Sequence, residues 1–192
     1  MRIIGGKSGG RILKVPKGYD VRPTPDLVKQ AIFNSLGPRV QGATVLELFG
    51  GSGALSLESL SRGAAAAVIV EKSNRTARMI RDNFETLDLQ PNQLELRTQD
   101  AYIAIAQLAA SSRKFDLVFA DPPYGEKNIG KRSESFAQKL LDDANLPNLL
   151  APEALFVLGH SKRDTLDLPS TWTERKLLKH GDSIIRILER GK

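Results

Sequence analysis

The chain contains no cysteine and only two histidines, His160 and His180. The first absence excludes disulfides, thiol nucleophiles and thiolate metal sites, and the second leaves no histidine cluster, so no metal site is expected. No apolar run approaches the roughly 20 residues that a membrane-spanning helix needs. The opening stretch MRIIGGKSGGRILKVPKG lacks the apolar centre of a secretory leader. These absences predict a cytoplasmic protein with no membrane partner. Chemistry is left to carboxylates, backbone groups or a cofactor.

What is present fits one main soluble fold: 192 residues, of which 41% are hydrophobic and 26% charged. The charge is uneven. Residues 1–22 hold six bases, Arg2, Lys7, Arg11, Lys14, Lys17 and Arg22, against one acid, Asp20, so +5 of the net +6 lies there. Concentrated positive charge attracts phosphate backbones. Two divisions are therefore expected, a basic hairpin or arm over 1–22 and the main body over 23–192. The candidate RNA contacts are Arg2, Lys7, Arg11, Lys14 and Arg22, and a solubilising tail is the plain alternative.

The arm reads as a hairpin, RII and RILKV around GGKSGG. RPTPDLVKQAIFNSLGP follows as a helix, with Thr24 as cap, Pro25 in the first turn, Gly37 and Pro38 as stop, and Leu27, Ala31, Ile32 and Leu36 along one side. From residue 44 strands and helices alternate: TVLELF, ALSLESLSRG, AAVIVE, NRTARMIRDNFETL, QLELRT, AYIAIAQLAA, FDLVFA. The short apolar strands suit a parallel sheet covered on both faces. Within the second helix of this series Ala77, Ile80, Phe84 and Leu87 form an inward stripe, leaving Arg75, Arg78 and Arg81 to solvent. A further helix over SESFAQKLLDDA precedes the strand ALFVLGH. The strands WTERKLLKH and SIIRILER then pair antiparallel at the sheet edge. The fold expected is α/β and doubly wound, with a mostly parallel, Rossmann-like sheet, an antiparallel edge strand and the small N-terminal β-hairpin.

In such sheets ligands bind beyond the carboxyl ends of the strands. The first strand runs into Gly50, Gly51 and Gly53 at the start of a helix, a turn that lets an anion approach backbone N–H groups. Glu71 ends the second strand, where a carboxylate can accept both hydroxyls of a ribose, and Asp100 ends the third, where it can accept from an adenine amino group. Together they point to an adenosine-containing cofactor. Ser56 stands where a dinucleotide fingerprint wants glycine, which disfavours a nicotinamide cofactor. Glu47 and Glu71 suit a cofactor with a cationic centre, and S-adenosylmethionine fits, its sulfonium positive and its carboxylate matched to the glycine turn.

The fourth strand ends in Asp121-Pro122-Pro123-Tyr124. Prolines cannot continue a strand, so a plain turn is one reading. The other is chemical. An exocyclic base amine is a poor nucleophile because its lone pair is delocalised into the ring. Asp121, with a backbone carbonyl fixed by Pro122 and Pro123, can accept from its two N–H bonds and draw the nitrogen toward a tetrahedral form. Tyr124 offers a face for an extruded base.

MRIIGG, Gly10-Arg11 with Leu13, RPTPD, Phe33-Asn34, the run FGGSGALSLESLSRG with Ser59 in place of the usual alanine, and DPPY occur in an order that resembles the bacterial RsmD family. These are class I S-adenosylmethionine-dependent methyltransferases that act on a guanine N2 amine of 16S ribosomal RNA. The resemblance implies one guanine in a loop near the ribosomal P site, presented by a small-subunit ribosomal particle, and a monomeric enzyme. For the cofactor it implies Thr24 as cover, and Glu47, Phe49, Gly50, Gly51, Ser52 and Gly53 from the first strand and its turn. Glu71 and Lys72, Asp100 and Ala101, and Asp121 follow from the later strand ends. Departures fall at Ser8 and Gly9, at Glu153 and Ala154, where a glycine pair is common, and at Gly159, where relatives often have glutamate; none receives a catalytic role. Residues 125–132 are expected to form a loop. A DNA adenine-N6 or cytosine-N4 amino-methyltransferase shares the DPPY logic, and a non-catalytic RNA-binding assembly factor would share the basic arm.

Overall fold

Short runs of valine, isoleucine and leucine become strands where both of their faces can be covered. Seven strands, most of them of this kind, occur in the computed structural model, which describes residues 1–15, 24–124 and 131–191. The chain divides into two units, Met1–Ala104 and Ile105–Lys192.

In the first unit β1 (Thr44–Leu48), β2 (Ala66–Val70) and β3 (Leu94–Arg97) pair in parallel with β2 in the middle, Thr44 opposite Ala66 and Val70 opposite Arg97. Parallel neighbours need a crossover, supplied by the helices α2 (Ala54–Ser61) and α3 (Asn74–Glu85). The Ser73 side chain starts α3 by accepting from the Thr76 N–H at 3.3 Å. The stripe Ala77, Ile80, Phe84 and Leu87 is buried, while Arg75, Arg78 and Arg81 are exposed. Burial of each larger member contributes about 1.5–3 kcal/mol. All residues of α2 are buried, Glu58 among them.

Helix α1 (Asp26–Leu36) begins later than the sequence suggests. Pro25 takes the N-cap position with no side-chain capping bond, so Thr24 is not the cap; Gly37 ends the helix in the left-handed region, as expected. The inward face is rotated too: Leu27 is 73% exposed, whereas Val28, Lys29, Ile32, Phe33 and Leu36 are buried. Lys29 can be inside because its ammonium meets the Arg2 carbonyl, Asp26 Oδ1 at 3.5 Å and Glu58 Oε2 at 3.9 Å.

The expected N-terminal hairpin forms as a short one: Arg2 and Ile12 make an antiparallel bridge, and Ile3 N–H donates to the Arg11 carbonyl at 2.9 Å, Gly10 N–H to the Ile3 carbonyl at 2.9 Å and Leu13 N–H to the Met1 carbonyl at 2.8 Å. Its glycine-rich turn is also bonded outside the hairpin. Lys7 N–H donates to the Ser61 carbonyl at 2.8 Å, Ser8 N–H donates to Ser61 Oγ at 3.0 Å, and Ser61 Oγ donates to the Gly5 carbonyl at 2.6 Å. Ile4 N–H donates to Glu58 Oε2 at 2.8 Å, and Asn83 exchanges hydrogen bonds with the Lys14 backbone at 2.8 and 2.9 Å. With Ile3 and Leu13 buried, residues 1–15 are fastened to α2 and α3.

The boundary between the units falls inside α4 (Ala101–Ala110). In the second unit β4 (Phe115–Ala120), β5 (Leu150–Ser161), β6 (Trp172–His180) and β7 (Ser183–Arg190) lie in the order β4-β5-β7-β6. β4 and β5 are parallel, Ala120 opposite Leu158; β7 is antiparallel to both β5 and β6. The last two strands thus pair as their spacing predicts, with β6 on the edge and β7 inserted beside β5. A register shift between β4 and β5 accompanies Glu153 at φ 61°, a left-handed conformation that favours glycine, at one of the positions where the family often has a glycine pair. Helix α5 (Phe136–Asp142) is shorter than SESFAQKLLDDA, because the Ser135 side chain accepts from Gln138 N–H and Asp143 Oδ1 accepts from Asn145 and Leu146 N–H, closing both ends.

Buried His160 sits in β5 with Nδ1 3.0 Å from the Ser161 carbonyl and Nε2 3.2 Å from Arg186 Nε. A guanidinium only donates, so Nε2 accepts, Nδ1 carries the hydrogen and the ring is neutral. Burial, and then the Arg186 charge, hold the imidazole pKa below 6.5. An unfolded histidine binds its proton more readily, so this residue's contribution to stability is complete above pH 6.5 and is lost as the pH falls toward the folded value. Urea denaturation between pH 7.5 and 5 is expected to show a loss that a His160→Gln variant lacks in part.

Among the described residues no helix is long and apolar enough to cross a membrane, and no group of three or more His, Cys, Asp or Glu side chains could hold a metal ion.

Candidate active site

The carboxyl end of β1 turns sharply. Phe49 has φ 57°, a left-handed conformation uncommon for an aromatic, and its ring meets Tyr102 edge-on at 6.2 Å. Two glycines of the following turn answer different needs. A Cβ on Gly50 would overlap the Ile69 side chain and lie 3.3 Å from Ile80, so close packing requires this glycine. Gly53, at φ 74°, is the left-handed N-cap of α2.

Two carboxylates fix the turn. Buried Glu47 accepts from Ser56 N–H at 2.8 Å, countering the positive end of α2. Glu71, at the end of β2, accepts from Gly51 N–H through Oε2 at 2.9 Å and from Ser73 N–H through Oε1 at 2.7 Å. Each carboxylate oxygen has two lone pairs, so Glu71 is held in place with acceptor capacity to spare. A Cβ at Gly51 would meet only the Phe49 carbonyl, 3.8 Å away, and the backbone there is open to approach. These features fit an adenosine cofactor with a ribose diol.

At the end of β3, Asp100 takes the role of a helix cap: Oδ1 accepts from Tyr102 N–H at 2.9 Å and its carbonyl from Ala104 N–H at 3.0 Å. Exposed Lys72 approaches Asp100 Oδ2 at 3.7 Å, a pair worth little by itself in solvent. Ala101 is buried under the start of α4, and Ser52 is buried with Oγ 3.5 Å from Met1 Sδ. Thr24 is half-buried. Turn and acidic strand ends are thus gathered at the carboxyl edge of the first unit's strands.

In the second unit β4 ends in a half-buried Asp121, a buried Pro122 and an exposed Pro123 and Tyr124, the last 44% exposed. The Tyr124 hydroxyl shares a hydrogen bond of 2.7 Å with Ser183 Oγ. Sequence reasoning gave Ser183 no role. Strand order brings it there: Ala120 lies opposite Leu158, and Ser161, three residues on, lies opposite Ser183. No local pattern around residue 183 carries that signal.

The basic residues of the arm are all exposed where described. Arg2 pairs with Asp26 at 2.8 Å and Lys14 with Asp82 at 3.0 Å, while Lys7 and Arg11 lie on the glycine-rich turn and beyond it. Burial alone would raise the Asp26 pKa, but the Arg2 hydrogen bond and the neighbouring Lys29 and Arg2 charges outweigh it and hold the carboxyl below 3.8. Arg22 and most of the expected 125–132 loop, residues 125–130, lie outside the described residues.

A family model described as conserved hypothetical protein 95 matches residues 1–189. The ribosomal RNA small subunit methyltransferase D of Escherichia coli strain K12 is 34% identical over 191 residues, spanning 99% of this chain and 90% of that protein. A solved structure from Escherichia coli superposes with a TM-score of 0.81 at 30% identity, covering 100% of this chain and 98% of that one. An RNA methyltransferase from Salinibacter ruber, solved with S-adenosyl-L-homocysteine, shares the fold at a TM-score of 0.64 and 17% identity, over 89% of this chain and 95% of that one.

Proposed function

The chain belongs to the RsmD family, whose model is described as conserved hypothetical protein 95, and has the class I methyltransferase fold; on that premise we propose that it methylates ribosomal RNA. The donor is S-adenosylmethionine and the acceptor the exocyclic N2 amine of a guanine in 16S ribosomal RNA of a small-subunit particle. The observation that carries the reading is the half-buried Asp121 carboxylate at the end of β4, followed at once by two prolines and an exposed tyrosine.

The donor, when bound, supplies a methyl group on a positively charged sulfur. Glu71 would accept from the ribose hydroxyls with the lone pairs that Gly51 and Ser73 leave, the start of α2 would take the donor's carboxylate, and Asp100 would accept from the adenine amine. Asp121 and a carbonyl of the proline turn accept from the two N–H bonds of the guanine amine, which turns the nitrogen lone pair toward the methyl carbon. Tyr124 stacks on the base. The Asp121 carboxylate would stabilise the positive charge that grows on the guanine nitrogen as it accepts the methyl group. The amine proton then leaves through Asp121 to water.

Residues 1–22 act as the RNA-gripping arm and 23–192 as the catalytic domain, with Arg2, Lys7, Arg11, Lys14 and Arg22 on phosphates. The enzyme works as a monomer in the cytoplasm, where its ribosomal substrate is assembled.

Incubation with methyl-labelled S-adenosylmethionine and undermethylated small subunits, naked 16S RNA or duplex DNA tests the reading. Label is expected on the N2 of one guanine of small-subunit RNA. Label confined to DNA, or none on any substrate, overturns it.

A further inference from the structure

Helix α3 turns Arg75, Arg78 and Arg81 to solvent, each three residues from the next and so neighbours along one face. Among the described residues none of the three is in an ion pair, whereas Arg2, Arg62, Arg97, Arg132, Arg175 and Arg186 each hold a carboxylate. Two acids share the face and leave the arginines unanswered. Asp82, one turn beyond Arg78, is bonded to Lys14 Nζ at 3.0 Å, and exposed Glu85, one turn beyond Arg81, is not paired with it. The arginines do not serve the helix either. A helix start favours acids, yet the first turn of α3 has none and Arg75 is its second residue. Pairs four residues apart help a helix most when the acid comes first, and here each base precedes its acid.

The helix also lies in a telling place. At its start Glu71 accepts from Ser73 N–H at 2.7 Å, so Arg75 stands at the rim of the candidate cofactor site. Toward its end Asn83 exchanges hydrogen bonds with the Lys14 backbone at 2.8 and 2.9 Å, which lays the exposed Lys14 of the basic arm beside the same helix. We propose that Arg75, Arg78 and Arg81 form a second RNA-backbone contact, continuous with the arm through Lys14, that carries the strand flanking the target base toward the site. This rests on the ribosomal RNA reading above and adds to it a surface outside residues 1–22. Guanidinium groups without internal partners suit phosphate, which they grip with two parallel N–H bonds, and their charge releases the counterions that the RNA had condensed. Such contacts set affinity and register and carry no sequence information.

The test replaces the three arginines together, Arg75→Gln, Arg78→Gln and Arg81→Gln. A charge-matched control carries Arg39→Gln, Lys114→Gln and Arg190→Gln, exposed residues at the amino edge of the parallel strands. Binding to undermethylated small subunits and to naked 16S RNA is measured between about 50 and 200 mM salt. The α3 variant is expected to bind both about 10–100-fold more weakly near 150 mM salt. Its plot of log affinity against log salt should be shallower by about 2–3, since each lost phosphate contact removes about 0.7–0.9 of slope. The control should change affinity by less than about threefold, and kcat at saturating small subunits should hold in both. Tm should also hold, because exposed substitutions outside any pair alter stability little; should it fall, the single variants carry the test, each expected to lose about 0.7–0.9 of slope. Parental affinity and slope in the α3 variant, an equal loss in the control, or a parent chain that fails to bind naked RNA at the lowest salt overturns the proposal. A loss confined to particles also overturns it, assigning the face to a ribosomal protein. The measurement reads binding alone, so a parent chain that binds through α3 yet transfers no methyl group would sink the functional reading and leave this surface standing.

Discussion

Replacing Asp121 by alanine is expected to slow methyl transfer by on the order of 10²–10³-fold, the effect of removing one preorganised group that faces developing charge. The loss should fall on kcat if, as proposed, the carboxylate acts on the amine as it becomes a nucleophile and not on the rest of the RNA. Stability should change little, because Asp121 is only half-buried. Asp121→Asn sharpens the test. The amide keeps the size, yet one of its two ends donates, so it confronts an amine N–H with another donor. Asparagine is expected to lose nearly as much activity as alanine. Single-turnover incorporation of labelled methyl at saturating donor checks both variants, and an asparagine variant with parental rate would show that the group fills space instead of accepting hydrogen bonds.

Glu58→Ala is expected to destabilise the protein by about 3–5 kcal/mol, the range for removing one partner of a buried ion pair. Glu58 and Lys29 side chains are both 0% exposed. The carboxylate accepts from Ile4 N–H and from Arg62 Nε, each at 2.8 Å, and stands 3.9 Å from Lys29 Nζ. Its removal leaves a buried ammonium short of one negative partner and a backbone N–H without its acceptor. Glu58→Gln retains an acceptor for Ile4 and should be less damaging. Urea denaturation measures both, and a loss below about 1 kcal/mol for alanine would mean that water or a rearranged Asp26 replaces the carboxylate. Hydrogen exchange at Ile4 should quicken in step, because that residue fastens the N-terminal segment to α2.

The same cluster shows where sequence reading stops. Helical spacing put Leu27 inside and gave Lys29 no place there; the reverse holds because Lys29 finds a carboxylate 29 positions away in the chain, a partner that no single-helix pattern contains. Strands β1, β2 and β4 were legible because their burial is written in consecutive residues. The hairpin was legible too, in its glycine-rich turn, but the anchoring of that turn on Ser61 was not. Of the candidate site, the glycine turn, Glu71 and Asp121–Tyr124 stand out in the sequence because each directly follows a strand, and Asp100 because it lies three residues beyond one. Ser183 could not be read, because only the pairing of β7 with β5 brings a residue so far along the chain to the end of β4.

Glu71 holds a further consequence. By bonding Gly51 and Ser73 together, one carboxylate makes the tip of the glycine turn and the first turn of α3 a single rigid piece. The conformational entropy of aiming that acceptor is lost when the chain folds, so a nucleoside arriving there meets a finished receptor and its own affinity is not diminished by having to build one.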